Sequence, residues 1–190
     1  MKRLGQRHVP RLLADTLNLG DSAAFTIATS LATPLLEAAR ESSATAVAAP
    51  WQDALQPSIV AILCAGTALE AATNWYATEG DPAWLALVGP SGEPNEQLPP
   101  DDKWRGWIQH RTGSPPSKTL LARVRDLTGD RALIGHDRGL KGPGGARVYQ
   151  WPPTKKRAGI SRTRAYFDAV RAARHVTTAE EAIEVLRSIA

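Results

Sequence analysis

The sequence predicts an all-α domain of about five helices, with short extended segments in the connections. Three observations carry that reading. Apolar residues recur three and four apart over stretches of helical length. The separators between those stretches are rich in Pro and Gly, and cap residues stand at their edges. The chain is 43% hydrophobic and 22% charged over 190 residues, an ordinary globular composition that excludes a disordered or fibrous protein. That length suits one domain with a full core, read as an N-terminal arm, 1–20, followed by a helical domain, 21–190.

The first predicted helix covers Asp21 to Ser43, with Asp21 or Ser22 at its start and Pro34 expected to kink or divide it. Pro57 opens the second at a first-turn position, and Gly80 and Pro82 stop it after about Thr78. Its apolar face, Ile59 to Tyr76, backs onto Ala, Val and Cys, so this helix is expected at the centre. Asp81 to Pro116 reads as one long Pro/Gly-rich connection holding a short apolar patch at Trp84 to Val88. Ser117 caps a third helix along Leu120, Leu121, Val124 and Leu127, with an interruption expected at Gly129 and a fresh cap at Asp130. After the glycine loop Gly139 to Gly145, Arg147 to Trp151 suits one short strand. Two helices are expected to close the chain, one capped by Ser161 and one by a Thr178/Glu181 capping box.

Cys64 is the single cysteine, which excludes an internal disulfide and a cysteine zinc site and suits a reducing cytoplasm. The longest apolar run, Ile59 to Ala72, is short for a bilayer, so no membrane association is expected. The basic N-terminus leads into no secretory-type apolar core. Charge is strongly segregated. Residues 1–102 carry 5 bases and 12 acids, residues 103–174 carry 17 and 4, and residues 175–190 carry 1 and 3. A block of net +13 is the footprint of a phosphate-binding surface, with a solvated Arg-rich face as the plainer explanation. Within it Arg125, Arg138, Lys141, Lys155, Lys156 and Arg157 are the candidate nucleic-acid contacts. Trp104, Trp107, Tyr149 and Trp151 suit either base stacking or, more simply, core packing.

An Arg and a His separated by four residues occur at Arg3/His8, Arg105/His110 and Arg131/His136. Composition alone predicts about 0.4 such pairs at one spacing, so context has to choose among them. Arg131/His136 follows a capped amphipathic helix and ends at a glycine-flanked turn, where both side chains can face solvent together. A histidine there can move protons near neutrality, and a guanidinium forks onto phosphate oxygens. The plainer reading of His136 is a helix-end residue interacting with terminal carbonyls.

The second-helix text Ala61 to Asn74, followed some sixty residues later by Leu127 to His136 and a further helix, resembles the HEPN superfamily. The resemblance spans roughly residues 22–175 and implies a four- to five-helix up-and-down bundle. Many of its members are metal-independent ribonucleases built on an Arg-x4-6-His motif. Here the motif falls on Arg131 and His136, and the accessory polar positions fall on Glu70 and Asn74. Glu70 and Asn74 are one helical turn apart, either as a structural pair or as an orienting layer behind Arg131 or His136. Many active members carry a polar residue directly after the arginine, where this chain has Ala132. The resemblance thus implies a homodimeric endoribonuclease acting on RNA without cofactor or metal. Its setting would be toxin–antitoxin or phage defence, with an antitoxin or defence-system partner. The alternative it leaves open is a non-catalytic nucleic-acid or nucleotide-binding accessory module.

Overall fold

Helix α2, Leu55–Gly80, is the element around which the others are arranged. The structure is a computed structural model that describes residues 21–89, 92–135, 140–141, 147–148 and 167–190. In chain order its elements are α1 (Asp21–Ala48), α2, α3 (Pro82–Ala86), a 3-10 turn (Asn95–Gln97), α4 (Pro100–Thr112), α5 (Lys118–Gly135), β1 (Leu140–Lys141), β2 (Arg147–Val148) and α6 (Ala169–Ser188). The two strands form a minimal antiparallel ladder, Leu140 opposite Val148 and Lys141 opposite Arg147. The protein is an all-α bundle, as its periodicities predict.

The central place of α2 follows from its composition. Ala61, Ala65, Ala68 and Ala72 present almost no side chain, so α1, α5 and α6 pack close around it, while Ile62 and Leu69 fill the space between. By length and composition α2 is also apolar enough to cross a bilayer, longer than the apolar run alone suggests. Ten of its residues are buried within the bundle. The remaining core comes from Leu120, Val124 and Leu127 of α5, from Ala172, Val176, Ala179, Ile183 and Leu186 of α6, and from α4.

Four sequence expectations are corrected. Helix α1 is not divided at Pro34 and runs on to Ala48, because the hydrogen bond lost at the proline is offset by the packing of α1 against α2. The long connection after Asp81 contains a helix, α4, whose Trp104 and Trp107 are fully buried. Pro100 starts α4 in its first turn with Asp101 and Asp102, and Gly113 ends it in the left-handed conformation. Helix α5 passes through Gly129 without interruption, and Asp130 is no cap but a buried partner of α6. At the C-terminus a single helix is capped by Asp168, whose carboxylate accepts from the Arg171 amide at 2.7 Å. Thr178 lies inside that helix and donates to the Arg174 carbonyl, and Glu181 reaches Arg123 of α5. Val170 of α6 is exposed, while Phe167 just before that helix is buried. Ser117 caps α5 as its position predicts, its hydroxyl accepting from the Leu120 amide. The expected Ser161 cap lies outside the described residues.

Candidate functional site

Position 66 of α2 decides what can pass beside it. A Cβ on Gly66 would stand 2.8 Å from Arg131 Cβ and 2.9 Å from its Cγ, so only glycine lets the Arg131 stem lie against α2. Four residues on, Glu70 meets the guanidinium. Arg131 Nη2 is 2.7 Å from Glu70 Oε2, with the two side chains 29% and 31% exposed. The α2 helix therefore supplies both the slot for the arginine and the carboxylate that holds it. Among the described residues one donor is engaged, by Glu70, and the fork has further donors that an anion can use.

Asn74, one further turn along, serves a different cation. Lys103 of α4 donates from Nζ to Asn74 Oδ1 at 3.0 Å and is only 7% exposed. Burial pushes the Lys103 ammonium below its usual range, while Glu70 and Glu96 oppose that fall by stabilising its charge. The Glu70/Asn74 face of α2 thus anchors Arg131 from α5 and Lys103 from α4. Lys103 was not among the expected site residues, because its sequence neighbourhood reads as loop.

Arg131 lies in the last turn and a half of α5, which ends at Gly135. His136 follows that terminus and lies outside the described residues, as do Arg138, Lys155, Lys156, Arg157 and the arm with Arg3 and His8. Lys141 is placed by its backbone in β1. The one copy of the motif with both residues described does not converge. On α4, Arg105 pairs with Asp102 at 3.1 Å, and His110 Nε2 lies 3.0 Å from Asp81 Oδ2 with its ring against Trp84 and Trp107. Trp104 and Trp107 are core residues, with Trp104 Nε1 donating to the Ala182 carbonyl.

A second polar cluster fixes the end of α5. Asp130, the neighbour of Arg131, faces a different helix, α6. It accepts from Arg171 Nε at 2.5 Å and pairs with His175 Nε2 at 2.8 Å. Burial alone would raise the Asp130 carboxyl, but hydrogen bonds from His175 and Arg171 bring it below its ordinary value. An ionised carboxylate only accepts, so His175 Nε2 carries the proton, and its buried Nδ1 has no partner among the described residues. The Arg171-x3-His175 spacing, one turn of a helix, was the sequence signal for this cluster.

The described part of the basic block is largely paired with carboxylates, some from the acidic flanks and some from within the block. Arg123 makes a two-pronged pair with Glu181, Arg125 reaches Asp101 at 3.3 Å, and Arg174 reaches Asp126 at 3.7 Å. Arg111 lies over the Trp107 ring. The described residues contain no group of three or more His, Cys, Asp or Glu suited to a metal ion, and burial raises the Cys64 thiol. No family model, curated protein or solved structure matches the chain.

Proposed function

We propose that the chain is a metal-independent, HEPN-type endoribonuclease of the cytoplasm, with Arg131 and His136 as its catalytic pair. The observation that carries the reading is the Arg131 guanidinium held by Glu70 in a slot made by Gly66, near the end of α5 and five residues before His136. A partly exposed arginine with one nitrogen oriented by Glu70 suits the extra charge of a pentavalent phosphorane. His136 takes the proton from the 2′-hydroxyl or returns one to the leaving 5′-oxygen. The products are a 2′,3′-cyclic phosphate and a 5′-hydroxyl. Two subunits contribute their pairs to one cleft, and residues 136–166, with 8 bases against 1 acid, supply phosphate contacts. A toxin–antitoxin or phage-defence setting, with a cognate partner protein, fits such an activity.

Ala132 favours a second reading, in which the same surface binds nucleic acid without turnover. One assay separates the two. Purified protein incubated with labelled RNA in EDTA should cleave it, and His136→Ala should lower the rate by roughly 10²- to 10⁴-fold while RNA binding persists. Arg131→Ala should impair both. RNA shifted but never cut by the wild-type protein would establish the binding module instead.

A further inference from the structure

A cavity of about 440 Å³ lies between α4 and the segment that follows α3. Its apolar wall is Trp84, Leu87 and Leu98, and its polar wall is Asp102, Arg105 and Gln109. The polar wall follows from spacing: Asp102, Arg105, Gly106 and Gln109 stand three, four and seven apart and share one face of α4. Gly106 leaves the floor bare backbone against the Trp84 ring, which an added Cβ would meet at 3.2 Å.

The apolar wall is held in place before any ligand arrives. The Asn95 amide donates to the Leu87 carbonyl at 2.9 Å, its side chain donates to the Trp84 carbonyl at 2.8 Å, and the Gly89 amide donates to the Glu93 carbonyl at 2.9 Å. A segment so tied nevertheless leaves Leu87 54% and Val88 67% exposed beside the cavity. A preformed, mostly apolar cleft of this size with a few convergent polar groups is the form of a small-ligand site.

We infer that this cavity takes one unpaired guanine base. The inference rests on reading the chain as an RNA-binding protein and names the base it selects. The Arg105 fork donates and the Asp102 carboxylate accepts. They touch through one contact, Nη2 to Oδ1, which leaves Arg105 donors and Asp102 Oδ2 for a ligand. Guanine presents the complement, acceptors at O6 and N7 and donors at N1 and the exocyclic N2. Arginine to O6 and N7 is the commonest specific contact to this base. The apolar wall covers the purine face, as aromatic and aliphatic platforms do for splayed single-stranded bases. Arg125, which reaches Asp102 at 3.8 Å, lies six residues before Arg131 on α5, about 9 Å along the helix axis.

The test is equilibrium binding in EDTA, followed by tryptophan fluorescence and calorimetry on the full chain. Its ligands are GMP, AMP, CMP and UMP, then oligouridine with and without one internal guanosine. GMP should bind best, and the guanosine-bearing oligomer should outbind plain oligouridine. Arg105→Ala and Asp102→Asn should each weaken GMP roughly tenfold or more with unchanged circular dichroism. Arg131→Ala should leave GMP affinity unaltered even where it abolishes RNA cleavage, so failure of the nuclease reading stays distinguishable from failure of this one. Absence of GMP binding, a preference for another nucleotide, or binding indifferent to both α4 substitutions would each overturn the assignment.

Discussion

Gly66 and Gly129 are both helical glycines, and their surroundings make opposite predictions. Alanine at 66 drives its Cβ into the Arg131 stem, an overpacking cost of about 1–3 kcal/mol, against about 1 kcal/mol regained in helix propensity. Alanine at 129 meets nothing within 4 Å, so the propensity gain stands alone. Thermal unfolding should place Gly129→Ala above the wild type by about 0.5–1 kcal/mol and Gly66→Ala below it. Only Gly66→Ala should also lower RNA cleavage. Asp130 makes a pH prediction. Its carboxyl lies below the ordinary value of 3.8 in the fold, so its contribution is complete above that value and is lost as pH falls through the folded one. Unfolding free energy measured from about pH 6 to pH 2 should decline less steeply for Asp130→Asn than for the wild type. At neutral pH, Asp130→Ala should cost about 3–5 kcal/mol, because it leaves Arg171 and the buried His175 without their carboxylate.

Helices differed in how plainly they announced themselves. The α2 and α5 stripes were legible because an apolar face buried along a whole helix repeats at the helical period. The start of α4 was also written in the chain, as Pro100 with two acids in its first turn and Gly113 at its end. It read as a loop because Gly106 interrupts it and its apolar face is three residues, Trp104, Trp107 and Ile108. At the C-terminus, Thr178 and Glu181 have the spacing of a capping box, but their partners are a carbonyl one turn back and an arginine on α5. Such partners are set by packing and not by local sequence. Asp168→Ala, by removing the cap α6 does use, should cost about 1 kcal/mol in denaturant unfolding. Thr178→Ala, which loses a back-bond within the helix and leaves a small cavity at a fully buried site, should cost on the order of 1 kcal/mol through lost packing, without loosening the start of α6.

The separation of charge along the chain is partly undone by folding. Acids from 1–102 and 175–190 meet bases from 103–174, as in Glu70 with Arg131, Asp101 with Arg125 and Glu181 with Arg123. No reading of segments in isolation predicts those pairings, since they join residues 24 to 61 positions apart. The same folding explains why a partner for Glu70 was foreseeable while the choice between Arg131 and His136 was open. What the acids leave uncompensated in sequence is 136–166, so salt dependence belongs there. Replacing Lys155, Lys156 and Arg157 together by alanine should flatten the slope of log affinity for RNA against log salt by about 2, as three single-strand phosphate contacts require.

The central position of α2 has a bearing on how the chain is made. Part of its cover comes from α6, which begins at Ala169, so a ribosome has emitted the whole of α2 long before α6 exists. Until the last helix emerges and closes a loop of nearly ninety residues from Gly80 to Ala169, part of α2's alanine-rich face has only water or a chaperone to meet. Nascent chains stalled ahead of Ala169 should therefore recruit hydrophobic-binding chaperones, and release of the final twenty residues of helix should end that association.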